Sequence, residues 1–147
     1  LGPIAGILLI VGAGGGFKQT LVDSGIADII ASWIQQAAVP ALLAGWLVAV
    51  AVRLATGSAT VATVTAAGIM APLAAGMPPV EVSLLVLAIG AGSVFLSHVN
   101  DAGFWLVKEY FGMTVGQTFK TWSLMETLLS VTAMVAISVI ALVLGLF

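Results

Sequence analysis

Uncharged apolar runs alternate with short polar or glycine-rich interruptions along the chain, and the length of each run decides what it can be. Crossing about 30 Å of hydrocarbon takes roughly 20 apolar residues at about 1.5 Å each. Residues 127–147 supply 21 uncharged positions, with Trp122 and Glu126 before them where an interface would lie, so a spanning helix is predicted there. Residues 1–17 are also uncharged, but Gly12, Gly14, Gly15 and Gly16 oppose a helix by about 1 kcal/mol each. That segment reads as the end of a helix whose start is missing, and a chain beginning at Leu1 inside an apolar run reads as a fragment. Between residues 23 and 36, Ile26, Ile29, Ile30, Trp33 and Ile34 recur at helical spacing opposite Asp28, Ser32, Gln35 and Gln36. This is the pattern of a helix lying in the interface.

The middle of the chain behaves differently. Pro40 opens the segment 41–55, about 24 Å long as a helix, which is short for a full crossing unless Arg53 snorkels. Thr56, Gly57, Ser58, Ala59 and Thr60 interrupt the pattern before a second short apolar segment, 61–76, and Met77, Pro78 and Pro79 mark a surface turn. Glu81 then opens the run 82–96, which stops early at the polar stretch from Ser97 to Gly103. A further helix is predicted from there through Tyr110. No period of 20 to 50 residues repeats, which excludes solenoids and propellers.

Composition makes the solvent plain. Of 147 residues 61% are apolar and 7% charged, whereas a soluble domain carries about a quarter charged residues. Lipid must cover the remainder. Lys18, Arg53, Lys108 and Lys120 are scattered and form no basic patch, which argues against nucleic acid as a partner. Without cysteine there is no disulfide, thiolate nucleophile or thiolate metal site, and a single histidine argues against a His-rich metal centre. Neither a metal nor a cofactor is expected. The glycine run before Lys18 fails as a nucleotide loop, because Phe17 stands where both nucleotide-binding patterns need glycine. Lys18 is better placed as an interface anchor than as an anion contact.

Chemistry is expected at the two interruptions. Unsatisfied backbone amides in lipid cost several kcal/mol, so non-helical backbone at membrane depth is tolerated only inside protein or along a wet cavity. In secondary transporters such breaks expose half-helix N-termini to anionic substrates. At the first break, Gly57 permits close approach while Thr56, Ser58 and Thr60 supply hydroxyls that can cap a helix starting near Val61 and bind a polyol or carboxylate. Thr63 and Thr65 extend that supply; close packing of small residues is the plainer alternative. The second break gathers Ser97, His98, Asn100 and Asp101, with Asn100 or Asp101 as the natural cap of the next helix. A carboxyl at membrane depth is costly unless protonated, paired or hydrated, so Asp101 is the first candidate for proton coupling, with His98 beside it. An ordinary surface loop is the plainer alternative here. Asp23, Asp28, Glu81, Lys108, Glu109, Lys120 and Glu126 flank apolar segments and read as solvated interface charges.

Four segments carry a family resemblance: residues 12–19, residues 22–26, residues 55–61, and above all Leu96-Ser-His-Val-Asn-Asp-Ala-Gly-Phe-Trp105. Over essentially its whole length the chain resembles the bacterial gluconate:proton symporter family. That family transports gluconate, related sugar acids and, in one branch, D-serine. It belongs to the ion transporter superfamily of inverted repeats with re-entrant hairpins. The resemblance implies an all-α membrane fold, residues 1–147 being the C-terminal inverted repeat of a longer permease, with a re-entrant hairpin and a broken helix. It also implies a multi-pass place in the bacterial inner (cytoplasmic) membrane.

The function expected on this basis is import of gluconate or a similar small sugar acid by proton symport. Thr56, Gly57, Ser58, Thr60, Ser97, His98 and Asn100 would bind substrate, and Asp101 would couple the proton. The expected partners are the organic anion, protons, the lipid bilayer and the N-terminal remainder of the permease; a homo-oligomer stays open. Gly57, Ser58 and Ala59 stand where sodium-coupled relatives carry Ser-Asn-Thr, and the lost amide oxygen favours protons. Lys108 and Lys120 are expected on the cytoplasmic side. The rivals are a D-serine or other small-carboxylate permease, a passive anion channel, a purely structural subunit, and a hydrolase built on His98. The last is weak, because Ser97 and Asp101 share one short stretch of chain with it and no second histidine exists, so no enzyme is expected.

Overall fold

The computed structural model describes residues 39–146 together with isolated positions between 16 and 36. The predicted interfacial helix of residues 23–36 and the glycine run with Lys18 lie largely outside the described residues. Among the described residues the chain is helical and contains no strand.

Helix α1 (Ala41–Thr56) starts after Pro40, whose ring fixes an extended entry. It ends where Gly57 takes the left-handed conformation, φ 69°, and donates its N–H to the Arg53 carbonyl. Helix α2 (Ala59–Ala74) begins two residues after Gly57, with the Ser58 hydroxyl accepting the Val61 N–H at 3.3 Å. Two residues thus separate the two helices. Helix α3 (Pro79–Ser93) has proline in its first turn, where no N–H is needed, and so begins at the predicted turn itself.

The second interruption runs from Val94 to Asp101 and holds Leu96 at φ 44°, a conformation unfavourable for a branched side chain. Helix α4 (Ala102–Tyr110) follows, capped by Asp101. Helix α5 (Val115–Thr118), opened by a reciprocal Thr114–Gln117 capping box, a π-helical turn (Phe119–Ser123) and helix α6 (Leu124–Val143) then form one continuous helix, Val115–Val143.

That 29-residue helix is long and apolar enough to cross a membrane, while α1, α2 and α3 are shorter apolar helices. It begins twelve residues before the predicted span of 127–147, because Lys120 and Glu126 sit within it instead of ending it. Leu128, Val135, Val139 and Leu142 stay exposed along α6, as a face meant for lipid or further protein does.

The core lies where α1, α2 and α3 pack together and α6 closes over α3. Leu42, Ala49, Ala66, Met70, Leu85, Ala88, Ile89 and Ile137 are buried there. Small residues set how closely the helices approach: a Cβ on Gly92 of α3 would lie 2.4 Å from the Trp46 carbonyl oxygen of α1. The Trp46 indole N–H donates to the Ser130 hydroxyl at 3.1 Å and ties α1 to α6. At the other end, fully buried Phe104 of α4 packs on Phe119 at 4.9 Å, anchoring α4 to the π-helical turn.

Candidate functional site

Both interruptions open onto one cavity of about 450 Å³. Thr56, Gly57, Ser58, Ala59 and Thr60 line it from the first break, and Asn100, Asp101, Ala102 and Gly103 from the second. Arg53, Trp122 and Glu126 complete the wall. The breaks meet tightly: the Asn100 side-chain amide donates to the Leu54 carbonyl at 2.9 Å, capping a C-terminal carbonyl of α1. The first turns of α2 and α4 therefore line the same space with their positive dipole ends.

Arg53 is the centre of the network. Its side chain is 4% exposed, and it donates to the Gly57 carbonyl at 2.5 Å and to Asp101 Oδ2 at 2.5 Å, with Glu126 Oε2 at 3.5 Å. Its Nε is buried without a partner among the described residues. Asp101 Oδ1 accepts the Gly103 N–H at 2.8 Å, so one carboxylate caps α4 and neutralises the arginine. The Ser97 hydroxyl donates to Asp101 Oδ2 and accepts the Trp122 indole N–H at 2.9 Å. Its carbonyl accepts the Ser123 hydroxyl, so the π-helical turn grips the second break twice. In that turn the Leu124 N–H reaches the Phe119 carbonyl five residues back.

The residues singled out from the sequence fall into three groups. Thr56, Gly57, Ser58, Thr60, Asn100 and Asp101 line the cavity. Ser97 is fully buried and reaches the cavity through Asp101. His98 lies in the turn behind it, its Nδ1 accepting the Asn100 N–H at 3.4 Å. Thr63 donates to the Ala59 carbonyl, and Thr65 is buried inside α2 with its hydroxyl unpaired among the described residues; neither lines the cavity.

Two charges stand differently from the sequence reading. Arg53 does not snorkel, because Asp101 and Glu126 neutralise it inside the protein and the Gly57 carbonyl accepts a further hydrogen bond from it. Glu126 is not a solvated interface charge: it is 14% exposed and faces Arg53. Spacing gave no sign of this, since its partner lies 73 positions away; the signal available was one positive and two negative charges each adjoining an interruption or span boundary. Among the described residues no three metal-ligating side chains gather.

Short apolar helices that break around a polar cavity, beside one helix long and apolar enough to cross a membrane, are the architecture of a helical membrane protein. The sequence matches the family model described as GntP family permease over residues 1–143, and the chain belongs to that family. It is 58% identical over 98% of its length to a gluconate permease of Pseudomonas aeruginosa, covering 32% of that protein. It is 54% identical over 90% of its length to a high-affinity gluconate transporter of Escherichia coli, covering 30%. Over 98% of its length it is 47% identical to the Gnt-II system L-idonate transporter of Escherichia coli, covering 33%. The chain thus spans about a third of the length of these relatives. No solved structure matches it.

Proposed function

We propose that the permease containing this chain is a secondary active transporter, not an enzyme, that imports gluconate or a related small sugar acid together with a proton. One observation carries this reading: two helix N-termini, an arginine and a row of hydroxyl and amide groups converge on one cavity in an otherwise apolar chain. A sugar acid is a carboxylate on a polyol. Dipole ends and Arg53 suit the carboxylate, and Thr56, Ser58, Thr60 and Asn100 suit the hydroxyls. Gly57 lets the backbone approach. Ser97 and His98 shape the second break behind Asn100. Coupling belongs to the carboxylates that flank Arg53, Asp101 and Glu126. The names of the relatives, gluconate permease and L-idonate transporter, agree with this chemistry.

In this reading α1 and α2 form a re-entrant hairpin with its tip at Gly57, and α3 and α4 are the halves of a broken helix. Together they make the C-terminal inverted repeat of a multi-pass protein of the bacterial inner membrane. The N-terminal remainder supplies the facing half of the cavity, and alternating access moves the two halves past each other.

The test is uptake of radiolabelled gluconate into proteoliposomes holding the full-length permease, with and without an inward proton gradient. Saturable uptake that the gradient drives is expected. Flux linear in gluconate and indifferent to the gradient would make the protein a channel, and no uptake would discard the substrate.

A further inference from the structure

Arg53 faces two carboxylates, and they hold it unequally. Asp101 is fixed through both oxygens, by the Gly103 N–H on Oδ1 and by Arg53 and the Ser97 hydroxyl on Oδ2. Removing it would uncap α4 and unfasten the second break. Glu126 sits in the first turn of α6, caps nothing and lies 3.5 Å from Arg53. It is the carboxylate that can leave Arg53 without dismantling a helix end.

Charge counting gives the exchange a direction. Arg53, Asp101 and Glu126 sum to one negative charge when all are ionised. A substrate carboxylate arriving unaccompanied would set three negative groups against one guanidinium in a largely buried space, where unpaired charge is expensive. One proton on a Glu126 oxygen cancels that excess, and the sum stays at one negative charge before and after loading. No covalent bond other than the O–H bond forms or breaks. Among the described residues the guanidinium also has a buried Nε–H without a partner.

Resting on the transport reading above, we propose that Arg53 anchors the substrate carboxylate, and that Glu126 is the proton-coupling group: protonated, it yields its place on Arg53 to the substrate. Asp101 is a positioning residue that keeps Arg53 aimed into the cavity. The charged groups facing Glu126 are Arg53 from α1 and Asp101 from the second break. His98 belongs to the same break but turns its Nδ1 to the Asn100 N–H. Among the other neighbouring elements, α2 carries no charged residue, α3 carries only Glu81 in its first turn, the π-helical turn carries Lys120, which is exposed, and Lys108 and Glu109 of α4 pair with each other at 2.6 Å.

The experiment compares full-length wild type, Glu126→Gln and Asp101→Asn in two readouts. In gluconate binding to purified protein, the wild-type Kd rises about tenfold per pH unit above the titration of the coupling carboxyl, as one-proton linkage requires. Glu126→Gln binds with a flat pH profile and loses gradient-driven accumulation, while Asp101→Asn binds more weakly but keeps the slope. A wild-type slope in Glu126→Gln, or a flat profile in Asp101→Asn alone, overturns the proposal. The second readout needs no substrate: infrared titration of the membrane-reconstituted protein should show a carboxyl band that disappears in Glu126→Gln and persists in Asp101→Asn, and the reverse pattern overturns the proposal. If wild type binds no gluconate, the substrate reading fails while the infrared titration still decides the role of Glu126.

Discussion

Gly57 and Asn100, the tips of two separate breaks, touch so closely that a Cβ on the glycine would lie 2.3 Å from the asparagine carbonyl oxygen and 2.7 Å from its side-chain oxygen. Gly57 also has φ 69°, which costs an ordinary residue about 1–2 kcal/mol. Gly57→Ala is therefore expected to force the breaks apart. It should lower thermal stability in detergent and cut gluconate uptake at least tenfold. Wild-type uptake in this variant would mean that the contact between the breaks is dispensable.

Arg53→Met removes the only cation from the cavity wall among the described residues and leaves two carboxylates facing each other. Breaking a buried pair from one side costs about 3–5 kcal/mol, so a large drop in melting temperature is expected. Adding Asp101→Asn to Arg53→Met should recover part of that loss, because it removes a stranded charge. Scanning calorimetry or a thermal-shift assay on the two variants checks the order.

Gly92→Val tests the packing of α1 against α3 away from the cavity. The added side chain would press on the Trp46 carbonyl oxygen and on the Ala49 Cβ, 2.8 Å from the position of the first added carbon. Overpacking of this kind costs about 1–3 kcal/mol. A lower melting temperature is expected, with the pH profile of gluconate binding keeping its shape.

Transport should be electroneutral if one proton enters with one carboxylate. Imposing a membrane potential with valinomycin and a potassium gradient at equal pH on both sides should leave initial uptake unchanged within about twofold. A potential-driven burst of uptake would require a second positive charge per cycle.

The two breaks were legible in the sequence because glycine, hydroxyls and a cap residue at the end of an undersized apolar run have few other uses in lipid. The caps fall within the expected sets, Ser58 among the three hydroxyls of the first break and Asp101 from the pair Asn100 and Asp101. The start of the last helix was not legible. Glu126 reads as a boundary when it is assumed to need water, and the guanidinium that replaces water comes from a helix 73 positions earlier. Arg53 was hidden for the same reason, with its nearer carboxylate 48 positions along the chain. Periodicity records which face of a helix is apolar; it carries no trace of which charges neutralise one another across the fold.

The π-helical turn between Thr118 and Leu124 bears on all of these charges at once. A π-turn accommodates one residue more than an α-helical turn would, so everything beyond it is rotated by about 100° relative to an uninterrupted helix. Glu126 owes its azimuth toward Arg53 to that added residue. Deleting one position there would leave a regular helix still long enough for the bilayer, yet point the carboxylate elsewhere. The helix thus behaves as a shaft with a keyed joint, in which the registry of one turn decides whether the charged wheel meshes.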